Sequence, residues 1–303
     1  MPPEPVTTRA GYVALVGRPN AGKSTLLNAF VGQKLSIVTE RAQTTWQRVT
    51  GIVTTEDAQM IFLDTPGLLE VRDLLQRSMM GAALLALSEA DVVLLVIDAT
   101  RPLGEDEASL VRDALAGSDA PLFVALNKTD VADDEAVEAA HRWAGELGGR
   151  VFAVSALTGR NVDALREAVE AALPPGPFLY PPDDIASEPV RFFVAELVRE
   201  TVIERFHQEI PWSVVCRVEE FRENQEPVYI GVVLFVERES QKGILVGAGG
   251  SAIKAVGQAA REKIEHFIGQ RVYLDLWVKT LPGWRRKRGH LSRLGYSVPD
   301  DAS

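Results

Sequence analysis

Short apolar runs recur through the first half of the chain, each opening into a polar loop and then a stretch with helical spacing. Tyr12 to Val16 lead into residues 17–24, and Leu26, Leu27, Phe30 and Val31 follow on one helical face. Similar runs at Val49–Val53, Met60–Leu63, Val92–Ile97, Leu122–Leu126 and Val151–Val154 predict further strands. Residues 71–88, 105–116 and 161–173 place apolar side chains three and four apart, as in Leu74, Leu75, Met79 and Ala82, and predict helices. Val92–Ile97 shows no polar alternation, as expected for a strand buried on both faces. Strands alternating with helices predict an α/β fold with a doubly wound, mostly parallel sheet.

The rhythm then changes. Residues 173–189 hold six prolines, which block helix continuation and mark a semi-rigid connector. Beyond it, Val190, Phe193, Val194, Leu197, Val198 and Thr201 repeat at helical spacing. A strand is predicted from Pro211 through Val214, Cys216 and Val218, and another over Val228–Val236. A short segment, 239–246, precedes Gly247-Ala248-Gly249-Gly250; a helix over 251–267 and a strand over 272–278 follow. The order reads α-β-β-α-α-β, an α+β unit. The expected divisions are 1–173, a proline-rich linker at 174–189, a second domain at 190–280 and a basic tail at 281–303.

Charge sharpens this division. The net charge is −10, yet residues 1–185 hold 15 Lys+Arg against 26 Asp+Glu, and residues 186–303 hold 17 against 16. Within 238–293 the count is 12 basic to 4 acidic, so a polyanionic partner is expected for the second half only. No span of about 20 apolar residues predicts a membrane crossing. The opening Met-Pro-Pro-Glu-Pro lacks a secretory pattern, and the single cysteine, Cys216, fits a reducing cytoplasm and reads as a structural thiol.

The candidate chemistry lies after strands. Gly17-Arg18-Pro19-Asn20-Ala21-Gly22-Lys23-Ser24, followed by Thr25, has the G-x-x-x-x-G-K-S spacing of a phosphate-binding loop between strand and helix. Backbone N–H groups there cradle phosphate, Lys23 brings a charge to the β- and γ-phosphates, and the Ser24 hydroxyl suits Mg²⁺. Asp64, ending the Met60–Leu63 strand in Asp64-Thr65-Pro66-Gly67, can hold Mg²⁺ through water, and the Gly67 N–H can face a γ-phosphate. Asn127-Lys128-Thr129-Asp130 follows another strand. The Asp130 carboxylate can accept two hydrogen bonds at once, which matches the N1–H and exocyclic amine of guanine and nothing on adenine. Asn127 can tie this loop to the phosphate loop, and the Lys128 stem can lie over the base. After the next strand come Ser155, Ala156 and Leu157, with the Ala156 N–H placed for guanine O6. GTP, GDP and Mg²⁺ are therefore the expected ligands.

The motifs GRPNAGKS, DTPG, NKTD and SA, in that order, resemble those of translation-factor-class GTPases, and Ala42-Gln43-Thr44-Thr45-Trp46-Gln47-Arg48 resembles the switch segment of the bacterial Era-type GTPases. The resemblance implies Thr45, with Thr44 the alternative, as the switch threonine that ligates Mg²⁺. Trp46 departs from it, because Arg is usual there. Leu68 stands where Ras-like relatives carry a catalytic glutamine, implying slow intrinsic hydrolysis, and Asn20 resembles an asparagine that ligates K⁺ in some relatives. The α-β-β-α-α-β order with G-x-x-G between its later helices resembles a type II KH domain, in which Gly247, Ala248, Gly249 and Gly250 would clamp an RNA backbone. Relatives usually carry a lysine inside that loop; here Lys242, Lys254 and Lys263 are the nearby substitutes. By resemblance, the chain is expected to be a cytoplasmic, monomeric GTPase that binds the 3′ end of 16S rRNA and acts in assembly of the 30S subunit. The alternative is a membrane-associated GTPase, peripheral on the inner face through Arg285, Arg286, Lys287 and Arg288, with the KH-like domain as an adaptor.

Overall fold

The computed structural model describes residues 8–300 apart from 40, 42 and 102, so Ala42 of the switch segment lies outside the described residues. The chain divides into two compact units, with the main division between Ser187 and Glu188; Asp73–Leu75 group with the second unit, which ends at Val298.

In the first unit, β1 (Arg9–Val16), α1 (Lys23–Val31), β2 (Val49–Thr54), β3 (Ala58–Asp64), α2 (Leu74–Glu89), β4 (Val92–Asp98), α3 (Glu105–Leu115), β5 (Leu122–Asn127), α4 (Asp134–Gly145), β6 (Arg150–Ala153) and α5 (Val162–Ala172) follow in order. The sheet runs β2-β3-β1-β4-β5-β6. All neighbouring strands are parallel except β2 and β3, a hairpin with Val49 opposite Asp64. β4 is buried from Val92 to Ile97, as its unbroken apolar run requires. Phe30 of α1 stacks on Phe62 of β3 with ring centroids 4.6 Å apart, which fixes the helix after the phosphate loop to the sheet. Sheet polarity brings the loops after β1, β3, β4, β5 and β6 to one carboxyl edge, where such folds bind ligands.

The helix α4 is absent from the sequence expectation. It starts at Asp133, whose carboxylate accepts the Ala136 N–H at 2.7 Å, and buries Ala144 alone.

The proline-rich segment is not a free connector. Ala10 N–H donates to Pro174 O at 3.2 Å and Gly176 N–H to Thr8 O at 3.0 Å. The fully buried Gln59 of β3 accepts the N–H groups of Leu179 and Tyr180 at 2.7 and 2.9 Å and donates to Tyr180 O at 2.9 Å. Ile52 of the edge strand β2 donates its N–H to Ile185 O at 2.9 Å. A backbone without its own ladder is satisfied here by the sheet it runs along.

The second unit has α6 (Val190–Arg205), β7 (Val215–Arg222), β8 (Val228–Val236), α7 (Glu239–Val246), α8 (Ser251–Ile268) and β9 (Val272–Thr280), the expected α-β-β-α-α-β order. β7 starts later than Pro211, because Ile210–Trp212 form a 3₁₀ turn that suits a residue without an N–H. Its sheet runs β7-β8-β9, with β7 antiparallel and β9 parallel to β8. Ile230, Val232 and Leu234 of β8 pack with Val194 and Val198 of α6 and Val256, Ala260 and Ile264 of α8. Cys216 lies on β7, and burial raises its thiol pKa, so it stays protonated.

Residues 281–296 are also folded rather than a solvated tail. Trp284 is fully buried, donates its indole N–H to Ser213 O at 3.3 Å and stacks on Tyr296. A short helix, α9 (Arg288–Arg293), buries Leu291. Among the described residues, no helix is long and apolar enough to cross a membrane.

Candidate functional site

The loop from β1 into α1 lines a cleft with Pro19, Asn20, Gly22, Lys23, Ser24 and Thr25; Ile37, Val38, Thr39, Gln43, Thr44, Thr45, Gly67 and Lys128 complete it. Gly22, at φ 98°, is a steric requirement: a Cβ there would lie 2.1 Å from Asn127 Nδ2. Lys23 is buried, and its ammonium donates to Arg18 O at 2.9 Å and Gly17 O at 3.2 Å. Burial pushes its pKa down to about 8, against the attraction of Asp64. Arg18 is turned away into an ion pair with Glu107 at the start of α3.

Three oxygen-bearing groups converge beside Lys23. Ser24 Oγ donates to Asp64 Oδ2 at 2.7 Å and lies 3.0 Å from Thr45 Oγ1. Thr44 lines the cleft next to Thr45. Burial raises the Asp64 carboxyl, opposed by the Lys23 charge and the Ser24 hydrogen bond. Its second oxygen, Oδ1, is buried without a hydrogen-bond partner. A buried carboxylate oxygen with a free lone pair beside two hydroxyls is a hard-oxygen donor set that fits Mg²⁺, bound directly or through water. Such an ion neutralises charge on β- and γ-phosphate oxygens.

The segment after β3 is tied down. Thr65, fully buried, donates its hydroxyl to Leu15 O at 2.7 Å, and Leu68 donates its N–H to Gly17 O at 3.0 Å. The Leu68 side chain joins the core with Val16, Leu63 and Leu95. A buried aliphatic group has nothing with which to orient water.

The base-side residues are built around Asn127. It is 2% exposed, donates Nδ2–H to Ala21 O at 2.9 Å and accepts the Ala156 N–H at Oδ1, also at 2.9 Å. It therefore joins the loops after β1, β5 and β6. In this structure the Ala156 N–H, expected at guanine O6, donates to Asn127 Oδ1. Lys128, at φ 68°, extends to Asp98 Oδ2 at 2.5 Å. Burial alone would raise the Asp98 carboxyl, but hydrogen bonds from Lys128 and Thr100 hold it below the usual carboxylate range. Asp98 was missed as a site residue, although a carboxylate ending a buried strand was its signal. Asp130 stands exposed on the same loop as Lys128, Ser155 is buried and Leu157 is exposed.

In the second unit, Gly247 takes φ 73°, and a Cβ there would meet the Ala252 Cβ at 2.7 Å. Ala248–Gly250 form a 3₁₀ turn, and α8 begins with no side-chain cap, which leaves its first N–H groups for a ligand. Beside the turn, Ile253, Lys254, Gly257, Gln258, Arg261, Tyr273, Leu274 and Leu276 line an open groove between α8 and β9. Gln258 and Arg261 were missed, although they follow Lys254 at helical spacing. Lys254 is exposed and Lys242 half-buried. Lys263 is not a substitute for the absent loop lysine: its ammonium lies 3.0 Å from the buried Glu200 and 2.7 Å from Glu204.

A family model described as a 50S ribosome-binding GTPase matches residues 12–128, and a KH-domain model matches residues 209–285. The chain is 41% identical over 304 residues to the GTPase Era of Synechocystis sp., with 99% of this chain and 96% of that protein covered. It is 41% identical over 293 residues to the GTPase Era of Carboxydothermus hydrogenoformans, covering 95% and 98%. A crystal structure of an Aquifex aeolicus Era variant bound to GDP and AlF4⁻ superposes with a TM-score of 0.90 at 37% identity, covering 96% of this chain and 100% of that one. A crystal structure of Era in complex with MgGDPNP and nucleotides 1506–1542 of 16S ribosomal RNA also gives 0.90, at 36% identity, covering 96% and 99%. On this full-length similarity, carried by both units, the chain belongs to the Era family of GTPases.

Proposed function

We propose that this GTPase is a switch whose triphosphate state sets the affinity of the second unit for the 3′ end of 16S rRNA, and that it acts as a cytoplasmic monomer in assembly of the 30S subunit. The observation that carries the reading is the hydrogen-bonded set Thr45–Ser24–Asp64, which joins a loop residue to the phosphate loop where a γ-phosphate and Mg²⁺ would lie. In this reading Lys23 meets the β- and γ-phosphates, Ser24, Thr45 and Asp64 serve Mg²⁺, and the Gly67 N–H faces the γ-phosphate. Asn127 and Lys128 frame the base and Asp130 selects guanine. The loop Gly247–Gly250, with Lys242 and Lys254, holds RNA backbone, and bases enter the α8–β9 groove. With Leu68 buried, Asn20 on the cleft wall is the residue we assign to K⁺; hydrolysis faster in K⁺ than in Na⁺ supports this, and equal rates refute it. Peripheral membrane binding retains only the basic run at 285–288 in its favour.

The test is binding of a 16S 3′-end oligonucleotide to the full chain loaded with a non-hydrolysable GTP analogue or with GDP. A clear difference in affinity is expected. Equal affinity in the two states refutes the switch.

A further inference from the structure

We propose that Trp46 is a positioning residue that holds the Thr45 loop in its ligating arrangement before a triphosphate arrives. The inference rests on the reading of Thr45 as the γ-phosphate-sensing ligand. Trp46 is the only apolar side chain between Gln43 and Arg48, and it is 4% exposed although the segment is neither helix nor strand. Its indole Nε1–H donates to Gln43 O at 2.8 Å, closing a turn in which Gln43 takes φ 62°. Thr45 is the next residue back, and its hydroxyl lies 3.0 Å from Ser24 Oγ, which bonds Asp64. The loop is therefore fixed at Thr45 itself by the Ser24 hydroxyl and around it by the buried indole, which ties Trp46 back to Gln43.

A buried indole removes on the order of 200 Å² from water, the largest contribution any side chain can make to holding an irregular segment. Its neighbours Gln43, Thr44 and Gln47 are polar and only half-buried. The affinity of a ligand that needs the closed loop scales with the fraction of molecules already closed, whereas a ligand indifferent to the loop is unaffected. GTP needs Thr45 in place and GDP does not. Trp46 thus raises triphosphate affinity selectively.

The experiment titrates the full chain with a fluorescent non-hydrolysable GTP analogue and with fluorescent GDP, over a range of Mg²⁺ concentrations. Trp46→Ala should weaken the GTP analogue by roughly tenfold, as expected if about a tenth of the loops remain closed. GDP affinity should stay within about twofold, since that ligand ignores the loop. The Mg²⁺ concentration for half-maximal GTP-analogue binding should rise in parallel. Trp46→Phe, which keeps a buried ring, should restore most of the affinity. GDP binding reports folding in the same samples, and if the Ala variant does not fold, the Phe variant and Trp46→Leu are read in its place. Equal weakening of both nucleotides, or of neither, overturns the proposal. Thr45→Ala separates the two readings. If it leaves the GTP-to-GDP ratio unchanged, the Thr45 assignment fails; if it changes the ratio and the Trp46 variants do not, only the Trp46 assignment fails.

Discussion

Asn127→Ala should break the tie that holds three loops together. In the structure Asn127 is almost fully buried and serves two backbone groups, Ala21 O through Nδ2 and Ala156 N–H through Oδ1, each at 2.9 Å. Truncation leaves both without their partner. Each orphaned buried group costs about 1–3 kcal/mol, so the pair amounts to about 2–6 kcal/mol, and the low end is already about thirtyfold in an equilibrium constant. The strain is relieved when the loops separate, so it should be read mainly in nucleotide affinity. The assay is equilibrium titration of GDP with a thermal melt of the nucleotide-free chain. A second perturbation reaches the same atom from the other side. Gly22→Ala would place a Cβ 2.1 Å from Asn127 Nδ2, so it should be costly in the native chain and less so once Asn127 is Ala. GDP binding by Asn127→Ala within about threefold of wild type, or a Gly22→Ala cost identical in both backgrounds, would refute the reasoning.

Three further outcomes follow from the same structure. Asp130→Asn replaces a double acceptor with one acceptor and one donor facing guanine's two donors; loss of charge-assisted contacts worth about 1.5–3 kcal/mol each should cut GTP affinity roughly a hundredfold or more and abolish preference over ATP in a competition titration. Lys23 has a folded pKa of about 8 against an ordinary 10.5, so between those values the unfolded chain binds more protons; the Lys23 contribution to nucleotide-free stability should rise with pH across that window while GDP affinity falls as the ammonium is lost, as followed by pH-dependent melts and titrations. Trp284→Ala should lower the denaturant stability of the second unit by about 3–5 kcal/mol; no change would mean that residues 281–296 are not part of its fold.

The first unit was largely legible because its chemistry is local. Gly17 to Ser24, Asp64 and Asn127 to Asp130 each follow an apolar run that ends at the ligand edge, so finding the strands placed the residues. What escaped depended on partners distant in sequence or on weak periodicity. The helix α4 fully buries only Ala144, and the rest of its inward face, Val137, Ala140 and Trp143, is small or half-buried, so its stripe is easily overlooked; Asp133 ahead of Asp134 and Glu135 was a second local signal. Lys263 reads as a free cation until Glu200 and Glu204, some sixty residues earlier, are placed beside it. Trp284, Leu291 and Tyr296 are diluted among Arg and Lys, so the segment reads as a solvated tail although those three side chains are buried. The hydrogen bond from the Ala156 N–H to Asn127 Oδ1 joins residues 29 apart and was likewise invisible in the sequence.

The stitching of residues 174–185 to the sheet has a mechanical meaning. Gln59 and Ile52, which fasten that segment, belong to the hairpin whose two ends are the nucleotide-facing stretches: β2 opens just after the Thr45–Arg48 segment, and β3 finishes in Asp64. The strap is therefore hydrogen-bonded to the same hairpin whose ends carry those stretches. Proline removes much of the remaining compliance of the segment. Up to Ile185 the connector is a strap pinned to the sheet, not a loose leash.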